Sequence, residues 1–478
     1  MIGHIRIWLF LGFLALASLA MASCSSLDLT GQPDYDDLRF DEPISWPEPD
    51  VVSFQLENGV RFLLIEDHEL PLVRVEVMVK SGQFQAPRGQ EGLADLTGTA
   101  LRSGGSENYP SDALNRLLAD KAAEINTSFN FISGSASLDV LSQDFRELLP
   151  VFVDLLHGPA FPQSKIALAK QQLRTEIARR NDQQSSLAMR TYKRLIYGPD
   201  SVYAREPQYK TVQAIDRQDI VRFHQQAFQG KKMIVGLVGD FEVEKVKPLL
   251  KQEFSAFPPG QRQTIDLPSV QENSDSSLNV VGKQDVNQSY ILMGHLGGFR
   301  QNPDFAALQV MNKVLSGGFS GRLFEKVRTE MGLAYSVFGR YGCEFYYPGM
   351  FFVGLKTKTS ATAKAIRVVR EELEKLQQGV GTQELNQAKE QFFNSLVFRY
   401  DEATEILERR MFYAYRQMDS ESFTQLVEEI REVTAEDVAR VAREYLQPGS
   451  LQVLAVGEKD KLIRQLEAFG PVTVLPQP

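Results

Sequence analysis

From Ser53 onward the chain alternates apolar and polar residues in short runs, then lapses into helical periodicity, and it does so twice. "SFQLENGVRFLLIED" holds two alternating runs around Asn58-Gly59, which predicts a hairpin. "PLVRVEVMVKSG" puts Val73, Val75, Val77 and Val79 on one face, the pattern of a half-buried strand. "EGLADLTGTALRSGG" (Glu91 to Gly105) then predicts an apolar helix delivered into the core, with Asp95, Thr97, Gly98 and Thr99 among its inward-facing positions. Helical periodicity returns in "SDALNRLLADKAAEI", "QDFRELLPVFVDLLH" and "SKIALAKQQLRTEIARRNDQQ", where Ser111 and Ser164 are expected to cap. "INTSFNFIS" and "GSASLDVL" predict a second hairpin between the first two of these.

The two passes share one design. The first closes with "RQDIVRFHQQAF" and "KKMIVGLVGDFEVEKVKPLLKQEF", the second with "AEDVARVAREYL" and "SLQVLAVGEKDKLIRQLEAF". At a constant offset of 218 residues Ile215 falls on Val433, Asp219 on Asp437, Val235 on Val453 and Gly239 on Gly457. One offset across helix, turn and strand marks an internal duplication of a unit of roughly 200 residues. The expected fold class is α+β: two homologous half-units, each a mostly antiparallel sheet with helices packed on one side. The expected division is a domain over 51–257, a polar, proline-bearing linker over 258–277 and a second domain over 278–478.

Length, 478 residues, requires more than one core, and a net charge of −9 speaks against a nucleic-acid partner. The first residues change the picture more. "MIGHIRIWLFLGFLALASLAMASC" has a short basic start, an apolar run too brief for a membrane span, and small residues before Cys24. It resembles a bacterial lipoprotein signal (1–23) with lipid placed on Cys24, an ordinary secretory cleavage near Ala22 or Ser23 being the alternative. Residues 24–50, acidic and proline-bearing, read as a tether. Ser25 after the cysteine resembles the outer-membrane sorting signal of Gram-negative lipoproteins, so a periplasm-facing protein is expected. The one further cysteine, Cys343, then has no partner for mispairing.

Most catalytic chemistries lack their residues. His4, His68, His157, His224 and His295 include no two at neighbouring-turn spacing on one helix, so no zinc pair is legible. No G-x-S-x-G elbow or Walker-type loop occurs, and glycine-rich "LSGGFSGRLF" lacks the GK[ST] ending.

That loop opens "LSGGFSGRLFEKVRTEMGLAYSVFGRYG" (Leu315 to Gly342), which resembles a segment of the pitrilysin-type, insulinase-like metallopeptidases, "RLF..VR...GLAYSV". The resemblance spans roughly Ser53 to Phe469. In that family an Arg and a Tyr seven residues later hold the substrate backbone near the zinc of another half-unit, which implies Arg328 and Tyr335 here. As chemistry, a guanidinium fork and a phenol hydroxyl would orient a peptide carbonyl. As framework, they would be a helix-end salt-bridging Arg and a strand Tyr. Active relatives carry H-x-x-E-H after "GLA". Here "GLADLTGT" puts Asp95 and Thr99 at the ligand positions and Gly98 at the general base. The family's third ligand, a Glu about 77 residues on, matches Glu176, a relic without its partners.

The resemblance therefore implies a peptidase-like chain that has lost its own zinc and its catalytic residues. It would serve as the non-catalytic subunit of a two-chain peptidase, with zinc in an H-x-x-E-H paralogue, a peptide as substrate and a lipid anchor at Cys24. The alternative is a peptide-binding or scaffold lipoprotein of the same fold. A hydrolase using a metal on Asp95 and Glu176 is a third, weaker reading.

Overall fold

The computed structural model describes residues 49–261, 264–271, 275–397 and 402–478. Cys24 and the signal and tether before residue 49 lie outside them.

The first half runs β1 (Val52–Gln55), β2 (Arg61–Glu66), β3 (Leu72–Val79), α1 (Leu93–Gly104), α2 (Ser111–Asp120), β4 (Glu124–Phe129) and β5 (Gly134–Leu141). It continues with α3 (Phe145–His157), α4 (Gln163–Arg179), α5 (Gln184–Tyr197), α6 (Tyr209–Ala214), α7 (Arg217–Ala227), β6 (Met233–Gly239) and α8 (Val243–Phe254). The second half repeats the order: β7 (Ser277–Gly282), β8 (Gln288–Leu296), the short β9 (Gly298–Phe299), α9 (Phe305–Ser316), β10 (Ala334–Tyr341), the short β11 (Cys343–Glu344) and β12 (Met350–Lys358). Then come α10 (Thr362–Gln378), α11 (Thr382–Val397), α12 (Ala403–Arg416), α13 (Ser422–Glu432), α14 (Ala435–Tyr445), β13 (Gln452–Gly457), α15 (Lys459–Leu466) and β14 (Val472–Leu475). A π-helical segment, Phe324–Glu330, separates α9 from β10.

Each half builds a six-stranded sheet, ordered β1-β2-β6-β3-β5-β4 and β10-β12-β8-β13-β7-β14. Read in opposite directions the two orders correspond, with β3 matching β8 and β6 matching β13. Most neighbours pair antiparallel; β2–β6, β7–β13 and β7–β14 are parallel. The duplicated ends share their caps. Asp216 and Asp219 form a capping box at α7, and Thr434 and Asp437 form one at the corresponding end of α14.

Alternation decides what each strand buries. Val73, Val75, Val77 and Val79 of β3 join Phe62, Leu64, Val235 and Leu237 against the helices of the first half. The Asn58-Gly59 turn is a longer connection than a two-residue hairpin. Leu56 N–H donates to Val60 O, Gly59 takes φ +96°, and the Asn58 amide donates to the carbonyls of Phe254 and Phe257. Ser111 and Ser164 do not cap: Pro110 and Pro162 occupy the N-cap positions.

The second face of each sheet is also covered in part, by a helix from the other half. Leu63, Ile65, Ile234 and Val238 pack against Ile406, Leu407, Met411 and Tyr415 of α12. In return, Leu187, Ala188, Tyr192 and Ile196 of α5 pack against Val281, Leu292, Leu454 and Val456. The sheet-facing residues have the same spacing in both helices, so the duplication extends to this exchange. Polar contacts hold it: Gln184 donates to the carbonyls of Gln288 and Val456, and Tyr415 to that of Ile132.

Candidate functional site

The chain leaves β3 through a 3₁₀ turn at Gln83–Gln85 and enters α1 at Gly92, which has φ +103°. A side chain there would be strained by that backbone, and its Cβ would stand 3.1 Å from Leu173 Cδ2. Within α1, Leu93, Ala94, Leu96, Ala100 and Leu101 are buried. Thr97 is buried too, its hydroxyl donating to Leu93 O at 2.7 Å.

The three positions of the inverted zinc motif have diverged in surroundings as well as in identity. Asp95 is half-buried and accepts a 2.9 Å hydrogen bond from Gln83 Nε2. Burial pushes its carboxyl above the usual range, the Gln83 hydrogen bond opposes this, and the charge of Glu176 adds to the rise. Gly98 lies against β4: a Cβ on it would meet Ser128 Cα at 3.2 Å and the Phe129 ring at 3.4 Å. Thr99, expected to face inward, is exposed, because the helix turns that position away from the core. Glu176 is exposed on α4. The recess beside Asp95, lined by Gln83, Phe131, Val202, Arg205 and Pro207, has room of about 30 Å³, on the scale of a single water.

This donor set does not fit zinc. It offers two carboxylates and no imidazole, and position 98 has no group to take a proton from water. Among the described residues no three His, Cys, Asp or Glu side chains are grouped closely enough to hold a metal ion.

The four described histidines make contacts within the framework. His68 bonds Asp240 at 2.8 Å on the surface, and His157 contacts Ala256 O. His224 is buried against Leu156 O, and burial lowers its pKa to about 4. His295 is buried and accepts from Gln447 N–H. Cys343 is buried and its thiol is pushed up to about 11, which leaves it protonated and inert at neutral pH.

Arg328 and Tyr335 are brought together. Arg328 lies in the π-helical segment and Tyr335 at the start of β10, and the guanidinium sits over the Tyr335 ring at 4.7 Å and over the Phe324 ring at 4.5 Å. No carboxylate pairs with Arg328 among the described residues, so the helix-end salt bridge that a framework role implies is not formed there. Tyr335 is 83% exposed. Rings that pack against a cation by their faces leave the donors at the guanidinium edge and the phenol hydroxyl available to a ligand.

Two neighbouring features escaped the sequence reading. Phe319, in the glycine-rich loop, is 80% exposed and meets Phe324 edge-on at 4.9 Å. Beside the Asp95 recess, Phe131 and Tyr203 of the first half pack on Tyr347 of the second at 5.4 and 4.9 Å. Neither exposure of a loop ring nor contact between rings far apart in the chain has a local sequence signal.

Comparison with known proteins gives relatives for the fold. Residues 61–198 match the model of the insulinase family (peptidase family M16), and residues 214–392 match that of the peptidase M16 inactive domain. A non-peptidase homolog, YmxG, of Helicobacter pylori is 25% identical over 401 residues, covering 83% of this chain and 91% of the relative. An uncharacterized zinc protease of Rickettsia bellii is 22% identical over 360 residues, with 72% and 82% covered. Among solved structures, the peptidase M16 inactive domain from Pseudomonas fluorescens superposes with a TM-score of 0.77 at 22% identity, over 86% of this chain and 98% of that one. The periplasmic protease PqqL of Escherichia coli superposes with a TM-score of 0.74 at 15% identity, over 90% of this chain and 48% of PqqL.

Proposed function

The chain belongs to the insulinase family, peptidase family M16, and we propose that it is the non-catalytic, substrate-holding subunit of a two-chain zinc peptidase. The observation that carries this reading is an asymmetry. The positions for zinc and base hold Asp95, Gly98 and Thr99, while Arg328 and Tyr335 stand together and reachable. A chain that only scaffolds has no use for a guanidinium edge and a phenol held at one spot. The partner that completes the site is a paralogue bearing H-x-x-E-H and zinc. Arg328 would donate to a carbonyl of an extended peptide, and the Tyr335 hydroxyl would donate to the same oxygen or its neighbour as negative charge develops on it. Anchoring through lipid on Cys24 would place the pair at the periplasmic face of the outer membrane.

The test is reconstitution with the zinc-bearing paralogue after co-purification from detergent-solubilised membranes. Arg328→Ala should lower kcat/KM by on the order of 100- to 1000-fold, the usual effect of removing one donor to a developing oxyanion, without dissolving the complex. Tyr335→Phe keeps the ring under Arg328 and removes only the hydroxyl, so a fall in turnover at unchanged melting temperature isolates its chemistry. Near-wild-type cleavage by both variants would leave a scaffold. For the anchor, Cys24→Ala protein should leave the membrane fraction; retention after a high-salt wash would refute it.

A further inference from the structure

A single exposed apolar side chain is ordinary. Phe319 is not single. Its ring meets Phe324 edge-on at 4.9 Å, the Phe324 ring lies under Arg328 at 4.5 Å, and Arg328 lies over Tyr335 at 4.7 Å, which makes one continuous series of contacts among three rings and a guanidinium. Both outer members are almost fully exposed, Phe319 at 80% and Tyr335 at 83%.

The loop that presents Phe319 is built. Gly317 N–H closes α9 on Lys313 O at 2.6 Å, Gly318 takes φ +62°, and Gly321 packs so closely that a Cβ would stand 2.6 Å from Gly317 N. Ser320 is tied to Gln391 of α11, and Arg322 makes two bonds to Glu384 and one to Gly379 O. The glycines and these ties hold the ring outward while its own backbone stays anchored. An apolar face fixed in water beside a hydrogen-bonding pair has the composition of a ligand site: one oriented polar contact with an apolar wall next to it.

We propose that Phe319 is a specificity-determining residue, whose ring receives a bulky apolar side chain of the peptide whose backbone carbonyl Arg328 and Tyr335 hold. This rests on the reading of that pair given above. In an extended peptide, side chains on one face recur about every 7 Å. Phe319 is one ring removed from the guanidinium, so it meets a residue one or two places from the held carbonyl. The peptides selected carry an aliphatic or aromatic residue there.

The experiment uses the purified full chain paired with its zinc-stripped paralogue, which cannot cleave, and two fluorescein-labelled dodecapeptides with lysine at both ends, one alternating alanine and leucine, the other alanine and serine. Alternation presents the apolar residue in either register. Fluorescence anisotropy should show the leucine peptide binding about tenfold more tightly, the scale of burying one such side chain. Phe319→Ala should bring the leucine peptide to the affinity of the serine peptide and leave the latter unchanged, while Phe319→Leu retains most of the preference. Arg328→Ala should weaken both peptides alike. Should wild type not discriminate, or the preference survive Phe319→Ala, while Arg328→Ala still weakens both, the Phe319 assignment fails and the clamp stands. Indifference of both peptides to Arg328→Ala, or no binding by wild type, overturns the clamp and the assignment together.

Discussion

At Asp95, Gly98 and Thr99 three different residues fail in three different ways. Asp95 has a carboxylate but is half-buried and engaged by Gln83; Gly98 has no side chain and lies against β4; Thr99 points to solvent. Restoring the motif by Asp95→His, Gly98→Glu and Thr99→His returns two imidazoles and a carboxylate near Glu176. The triple variant should gain zinc, measured by elemental analysis after dialysis, yet remain without peptidase activity. The recess beside residue 95, lined by Phe131 and Arg205, has room of about 30 Å³, too little for a substrate beside the metal, and catalysis also needs the new imidazoles to be oriented by surrounding groups. Stoichiometric zinc in the wild-type chain, or chelator-sensitive cleavage by the triple variant, would contradict this.

Among the elements, the contact of α12 with the first sheet contains a carboxyl under tension. Glu76 of β3 lies on the sheet face that α12 covers, opposite Ser137 of β5 and Gly236 of β6. Arg74 Nη2 is 4.0 Å away, while Asp139 of β5 and Glu408 of α12 add negative charge. Burial, above all, raises the Glu76 pKa, Arg74 opposes it, and Glu408 and Asp139 add to it, so that it reaches about 7. The folded state then holds its proton more tightly than the unfolded chain. The stability it contributes is complete below about pH 4.5 and is lost as pH rises through 7, by on the order of 2–3 kcal/mol. His224 acts in the opposite sense: buried neutral, with its pKa lowered to about 4, it contributes stability above 6.5 that is lost as pH falls through 4. The Glu76→Gln variant separates the two. Its melting temperature should exceed wild type at pH 8 and match it at pH 4. An equal gain at both values would assign the effect to something other than ionisation.

For the whole molecule, the exchange of α5 and α12 makes each half depend on the other. Without α12, Leu63, Ile65, Ile234 and Val238 face water. Fully burying such a side chain is worth about 1.5–3 kcal/mol, so losing four approaches the net stability of about 5–15 kcal/mol typical of a domain. Residues 49–261 or 275–478 expressed alone should therefore lack a cooperative thermal transition. Expressed together as two chains they should associate and recover one, because the exchanged helices need no continuous backbone to dock. A cooperative melt by either fragment alone would show that the exchange is not needed for its stability. The arrangement is also that of a helix-swapped dimer joined into one chain, consistent with the shared spacing of the sheet-facing residues in α5 and α12.

What the sequence determined by itself was whatever depends on near neighbours. Two-residue alternation placed β3 with its valines inward, helical periodicity placed α3, α4 and α8, and the constant offset of 218 paired the two halves down to their capping boxes. The loss of the zinc motif was legible because Gly98 and Thr99 offer neither an imidazole nor a carboxylate. Tertiary structure decided what depends on residues far along the chain. An apolar stripe on α5 or α12 states that a helix must be covered but not by which sheet, since both sheets offer equivalent apolar faces. Gly98 and Thr99 are adjacent in sequence, yet β4 closes over one and leaves the other in water. The same holds for Glu76, whose protonation follows from burial under a helix more than three hundred residues away, and for Phe319, whose exposure follows from the ties that hold its loop.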